Sequence, residues 1–114
     1  MSEPEVTYQV MWTPDAEQML DEIITYIAND SVKAARDSLQ LIKKRAGSLS
    51  FSPMRGRYVP ELLELGIRTY REIIVKPWRI IYKVGSADIY ILLVIDSRRD
   101  VASYLSMELT KGRF

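Results

Sequence analysis

Apolar residues recur along the chain with two periods, and the switch between them separates a helical first half from a stranded second half. Ala16, Met19, Leu20, Ile23, Ile24 and Ile27 fall at the three- and four-residue steps of one helix face. Thr13-Pro14-Asp15 ahead of them supplies a capping hydroxyl, a proline suited to the first helical position and an acid at the positive dipole end. The run closes near Asn29-Asp30. A second stripe, Ala35, Leu39, Ile42, Ala46 and Leu49, alternates steps of four and three behind a Ser31 cap. So regular a seam predicts antiparallel packing against the first helix. Gly47 to Pro53 breaks the pattern and ends the helix.

From Thr69 the period shortens to two. Thr69 to Val75 predicts a strand, Lys76-Pro77 a tight connection, and Trp78 to Val84 the next strand. In that strand Trp78, Ile80, Tyr82 and Val84 share one face, and Arg79, Ile81 and Lys83 the other. Gly85 to Asp88 supplies a hairpin turn. Ile89 to Ile95 is apolar on both faces, as in an interior strand, and Asp96-Ser97 ends it. Thr7 to Trp12 predicts one more strand at the start, and Arg98 to Leu109 a short helix at the end. Phe51 to Gly66 has no clean period; it predicts an ordered loop with a helical turn at Glu61 to Leu65. The order as a whole predicts one α+β domain over residues 1–114: an N-terminal strand, a helical hairpin, a three-stranded antiparallel meander joining the sheet, and a short C-terminal helix. The hairpin would cover one face of the sheet and leave the other open for binding.

Composition narrows the chemistry. The 114 residues contain no Cys and no His. Disulfides, a thiolate nucleophile, a Ser-His-Asp triad and a His-based acid or base are therefore excluded, and a zinc site is disfavoured. No metal and no cofactor is expected. Met1 to Thr7 is polar and acidic, unlike a secretory signal. The longest apolar run, Ile89 to Ile95, is too short to span a bilayer. A cytoplasmic location with no membrane partner is the expectation. Charge is unevenly placed: Glu3, Glu5, Asp15, Glu17, Asp21, Glu22 and Asp30 precede Lys33 with no base among them, and all 16 Lys and Arg residues follow. That asymmetry predicts a basic face turned toward an anionic partner.

The segments Tyr70-Arg71-Glu72-Ile73-Ile74-Val75 and Trp78-Arg79-Ile80-Ile81-Tyr82-Lys83-Val84 resemble the paired-strand signature of the RelE/ParE toxins of type II toxin–antitoxin systems. Ile89 to Ile95 followed by Asp96-Ser97-Arg98-Arg99-Asp100 is similar to that family's last strand and the basic turn after it. Trp12-Thr13-Pro14-Asp15-Ala16 is similar to the start of its first helix. The resemblance covers nearly the whole chain and implies a cognate antitoxin as partner in a hetero-oligomer, docked on whatever apolar surface the helices leave unburied. It also implies growth inhibition and a role in plasmid stabilisation.

Two activities follow from the resemblance. The RelE-like branch cleaves ribosome-bound mRNA without a metal, aligning the 2′-hydroxyl and stabilising a phosphorane with basic side chains. By resemblance its catalytic residues would be Arg71, Arg79, Arg98 and Tyr104. Ile73 stands where that branch carries a second strand lysine, and loss of a proton-transfer group costs roughly 10²–10⁴-fold in rate. The ParE-like branch poisons DNA gyrase without catalysis, and the wording of both segments is closer to it; target binding would then fall to Arg71, Arg79, Arg98 and Arg99. Strand ends are expected to gather Arg71, Arg79 and Arg98 into one cluster. The plainer readings pair Arg71 with Glu72 or Glu64 and Arg79 with Asp96 or Asp100, and make Lys43, Lys44 and Arg45 a solvated helix face. A non-toxic relative that only binds antitoxin or nucleic acid is the further alternative.

Overall fold

The computed structural model describes residues 7–97 and 101–110. The chain runs β1 (Gln9–Trp12), α1 (Pro14–Ala28), α2 (Val32–Gly47), β2 (Arg57–Tyr58), α3 (Pro60–Leu63), β3 (Tyr70–Val75), β4 (Trp78–Val84), β5 (Asp88–Asp96) and α4 (Val101–Thr110), with a 3-10 turn at Ser48–Ser50. Five strands form one sheet in the order β1-β5-β4-β3-β2; β1 is parallel to β5 and the other pairs are antiparallel. The α+β order and the meander match the pattern of apolar positions. The two-residue strand β2 was not expected.

Caps form where the sequence places them. Thr13 Oγ1 accepts the Ala16 N–H at 3.3 Å and donates to the Ile91 carbonyl at 2.9 Å, so it starts α1 and ties it to β5. Ser31 Oγ accepts the Ala34 N–H at 3.0 Å. After α3, Gly66 takes φ +77. That left-handed turn lets the Gly66 and Ile67 N–H groups return to Leu63 and Leu62, and it ends the helix.

The α1–α2 hairpin covers one sheet face. Ala16, Leu20, Ile42, Ala46 and Leu49 meet Ile73, Val75, Trp78, Ile80, Tyr82, Ile89, Ile91 and Val94 there. Between Ile81 and Tyr82 the β4–β5 register shifts, leaving Leu92 as the extra residue. The shift moves Leu93 and Ile95 to the opposite face, which is why β5 is apolar on both sides.

The opposite face is not open, contrary to expectation. Val59, Leu62 and Leu105, from the loop, α3 and α4, bury Tyr70, Ile81, Leu93 and Ile95. The helical turn expected at Glu61 to Leu65 forms as α3, but Val59 and Leu62, separated by Pro60 and Glu61, are too few to announce a covering element in the sequence. Among the described residues no helix is long and apolar enough to cross a membrane.

Candidate functional site

Strand alternation sets the positions of the two strand arginines. Arg71 lies opposite Tyr82, on the hairpin face; Arg79 lies opposite Ile74, three residues along β3 from Arg71 and therefore on the other face. The expected cluster of strand-end arginines does not form between these two. The signal was in the sequence: a two-residue turn at Lys76-Pro77 pairs Val75 with Trp78, and counting back from there separates Arg71 and Arg79 by face.

Each arginine is held by different chemistry. Arg79 is 7% exposed and lies between two carboxylates. It donates to both Glu61 oxygens at 2.7 Å and, through Nε and Nη2, to Glu72 Oε1, with the Nε contact at 2.9 Å. Glu72, itself 1% exposed, also accepts from Arg57 at 2.8 Å. The Arg79 guanidinium holds the Glu61 carboxyl below the usual carboxylate range, and Glu61 in turn raises the Arg79 pKa. Among the described residues the partners of Arg79 are Glu61 and Glu72 and not Asp96; Asp100 lies outside the described residues. Long-range pairing through α3 decides this, and no local spacing revealed it.

Arg71 pairs with no carboxylate in any salt bridge among the described residues. Its Nη1 donates to the carbonyls of Met54 and Gly56 at 3.2 and 2.8 Å, and the guanidinium lies 4.3 Å from the Tyr58 ring centroid. The Tyr82 hydroxyl, beneath the same loop, donates to the Pro53 carbonyl at 2.8 Å and accepts the Gly56 N–H at 2.9 Å. Burial pushes the Tyr82 pKa up. Its ring was legible as core; its role as a pin for the loop was not.

Tyr104 lies on α4, half-buried, with its hydroxyl 3.9 Å from Met19 Sδ. It lines a groove of about 750 Å³ between α1, the start of β4 and the end of β5. Met19, Ile23, Ile27 and Trp78 give this groove an apolar floor, and Glu22 and Asp96 add acids. Tyr26, 76% exposed, stands at its side. Here the apolar stripe of α1 continues past what the sheet buries. Arg98 and Arg99 lie outside the described residues. Among the described residues no group of three or more Asp or Glu could hold a metal ion.

A family model described as the ParE toxin of type II toxin–antitoxin systems matches residues 10–101. Toxin ParE3 of Caulobacter vibrioides is 35% identical over 77 residues, covering 68% of this chain and 73% of that protein. Two solved structures share the fold. The chromosomal ParDE system of P. aeruginosa has a TM-score of 0.64 at 20% identity, over 79% of this chain and 96% of that one. The RelBE2 toxin–antitoxin complex of Mycobacterium tuberculosis has a TM-score of 0.52 at 21% identity, over 83% and 97%.

Proposed function

The chain belongs to the ParE toxin family of type II toxin–antitoxin systems, and from that premise we propose that it arrests growth in the cytoplasm by poisoning DNA gyrase, restrained by a cognate antitoxin. The observation that carries the choice of target is the separation of the strand arginines. A metal-free ribonuclease must bring several cations and a proton donor around one phosphate. Here Arg79 is neutralised by Glu61 and Glu72 on one face, Arg71 is bonded to loop carbonyls on the other, and Tyr104 lies against Met19. Ile73 is buried in the core where the ribonuclease branch carries a lysine, and Arg98 lies outside the described residues; the arrangement of Arg71, Arg79, Ile73 and Tyr104 supports a binding toxin over a catalyst.

The groove along α1 suits the antitoxin. It offers an apolar trough beside an exposed tyrosine, the setting in which a partner segment seats bulky side chains. The P. aeruginosa and M. tuberculosis neighbours are themselves described as toxin–antitoxin systems.

Inducing the chain alone in a bacterium tests the reading. Growth arrest with inhibited supercoiling by purified gyrase, reversed by the product of a neighbouring small acidic reading frame, is the expected result. Arrest with cut ribosome-bound mRNA and unaffected supercoiling would overturn it in favour of the ribonuclease branch. No arrest would make the chain a non-toxic relative.

A further inference from the structure

Between Lys43 and Pro60 the sequence carries Lys43, Lys44, Arg45, Arg55 and Arg57 and no carboxylate. Lys43 reaches Glu17 and Arg57 reaches Glu72, but Lys44, Arg45 and Arg55 make no salt bridge among the described residues. The same stretch exposes two large apolar side chains, Phe51 at 68% and Met54 at 57%. Exposed loops are ordinarily mobile, yet this one is pinned. The Tyr82 hydroxyl holds Pro53 and Gly56, Arg71 holds the carbonyls of Met54 and Gly56, and the Arg55 N–H closes a turn onto Ser52 at 3.1 Å. Gly56 is obligatory: a Cβ there would lie 2.5 Å from the Glu72 carbonyl oxygen and from the Tyr82 hydroxyl. Ser48 joins the loop to the end of α2, donating its hydroxyl to the Arg45 carbonyl at 2.7 Å and accepting the Phe51 N–H at 3.3 Å. The Tyr82 hydroxyl and the Arg71 guanidinium thus hold in one shape a tip whose Arg55 makes no salt bridge among the described residues and whose Phe51 and Met54 are exposed, as for a preorganised binding element.

The chemistry of the tip selects its partner. Two exposed apolar side chains fall far short of the roughly 800 Å² per partner of a stable protein interface. Three cations without a carboxylate partner among the described residues match a phosphodiester backbone, where cation contacts dominate affinity and apolar wedges add to them. We propose that residues 51–57, with Lys44 and Arg45 at the end of α2, form a preorganised contact for the phosphate backbone of duplex DNA, with Phe51 and Met54 seated against the groove edge. The inference extends the gyrase reading, since a poisoned gyrase complex presents duplex DNA beside the enzyme.

Fluorescence anisotropy of the full chain with a short labelled DNA duplex, titrated with salt, tests it. Three phosphate contacts predict a log–log slope of about −2.7. Arg55→Ala should reduce its magnitude by about 1, and Arg55→Lys should restore it. The triple variant Lys44→Ala/Arg45→Ala/Arg55→Ala should abolish salt-dependent binding while melting like the wild type, since all three side chains are exposed. A triple variant with the wild-type slope, or a full chain that does not bind duplex at low salt, would overturn the proposal. So would a triple variant that loses DNA-free gyrase binding but keeps duplex binding, which would assign the corner to a protein. The two readings fail separately. Duplex binding through this corner with gyrase unaffected removes gyrase as target and leaves the contact. A triple variant that binds duplex and poisons gyrase like the wild type removes the contact and leaves the target.

Discussion

The two faces of the sheet are built on different principles. Under the α1–α2 hairpin every fully covered sheet residue is apolar or, in Tyr82, uses its one polar atom to hold a loop. Under α3 and α4 the apolar cluster shares its face with Arg79 and Glu72, buried at 7% and 1%. The first face is fixed by volume and is tolerant of exchange among similar shapes. The second is fixed by stoichiometry: remove one charge and another is left in a low-dielectric site. The difference also teaches something about arginines on strands. Arg71 and Arg79 look alike in the sequence, but one secures the loop at Met54 and Gly56 and the other secures a covering helix.

The largest expected effect breaks the ionic face. Arg79→Ala should lower stability by about 3–5 kcal/mol in urea unfolding, because Glu72 stays buried with only Arg57 and Glu61 loses its anchor. Replacing the pair together, Arg79→Met with Glu72→Leu, should recover most of that loss. If gyrase inhibition recovers with stability in the double variant, Arg79 acts by holding the fold. If stability returns and inhibition does not, Arg79 contacts the target.

Next comes Tyr82→Phe, on the hairpin face, whose ring belongs to the core and whose hydroxyl holds the loop. The Pro53 carbonyl and the Gly56 N–H lose their shared partner, at about 1–3 kcal/mol. Proteolysis of residues 51–57 should quicken in step. A smaller loss, with the loop as resistant as before, would mean that Arg71 alone holds it. Below that, Ile80→Val on the hairpin face should cost about 0.5–1.5 kcal/mol, the price of one buried methylene.

The hairpin face was legible in the sequence because its residues repeat at helix and strand periods: Ala16 to Ile27, Ala35 to Leu49, and the alternation from Trp78 to Val84. The capping residues Thr13 and Ser31 were legible for the same local reason. The other face was not. The strand β2 is two residues long and exists because the edge of β3 accepts it. Covering residues Val59, Leu62 and Leu105 lie in stretches too short or too far apart to show a period. Arg79 is joined to Glu61 across 18 residues, a pairing that only the folded chain reveals. The candidate site shared that fate: Arg71 and Arg79 stood out in the sequence, but their partners in the fold did not.

The smallest effect is a titration, and it too should divide the faces. Arg79 hydrogen-bonds Glu61 and depresses its pKa from an ordinary value of 4.5. A carboxyl whose pKa is lower in the folded state contributes stability above its unfolded pKa and loses it as pH falls through the folded value. Stability measured from pH 7 downward should therefore stay level, then decline once the solution passes below the ordinary carboxylate range. Glu61→Gln should be less stable at neutral pH and show a shallower acid decline, the two curves converging at low pH. Ile80→Val, on the face without carboxylates, should instead shift the whole curve down in parallel. An unchanged acid limb in Glu61→Gln would mean that the Arg79 pair contributes geometry but no net electrostatic stability, and the contrast between the faces would reduce to packing alone.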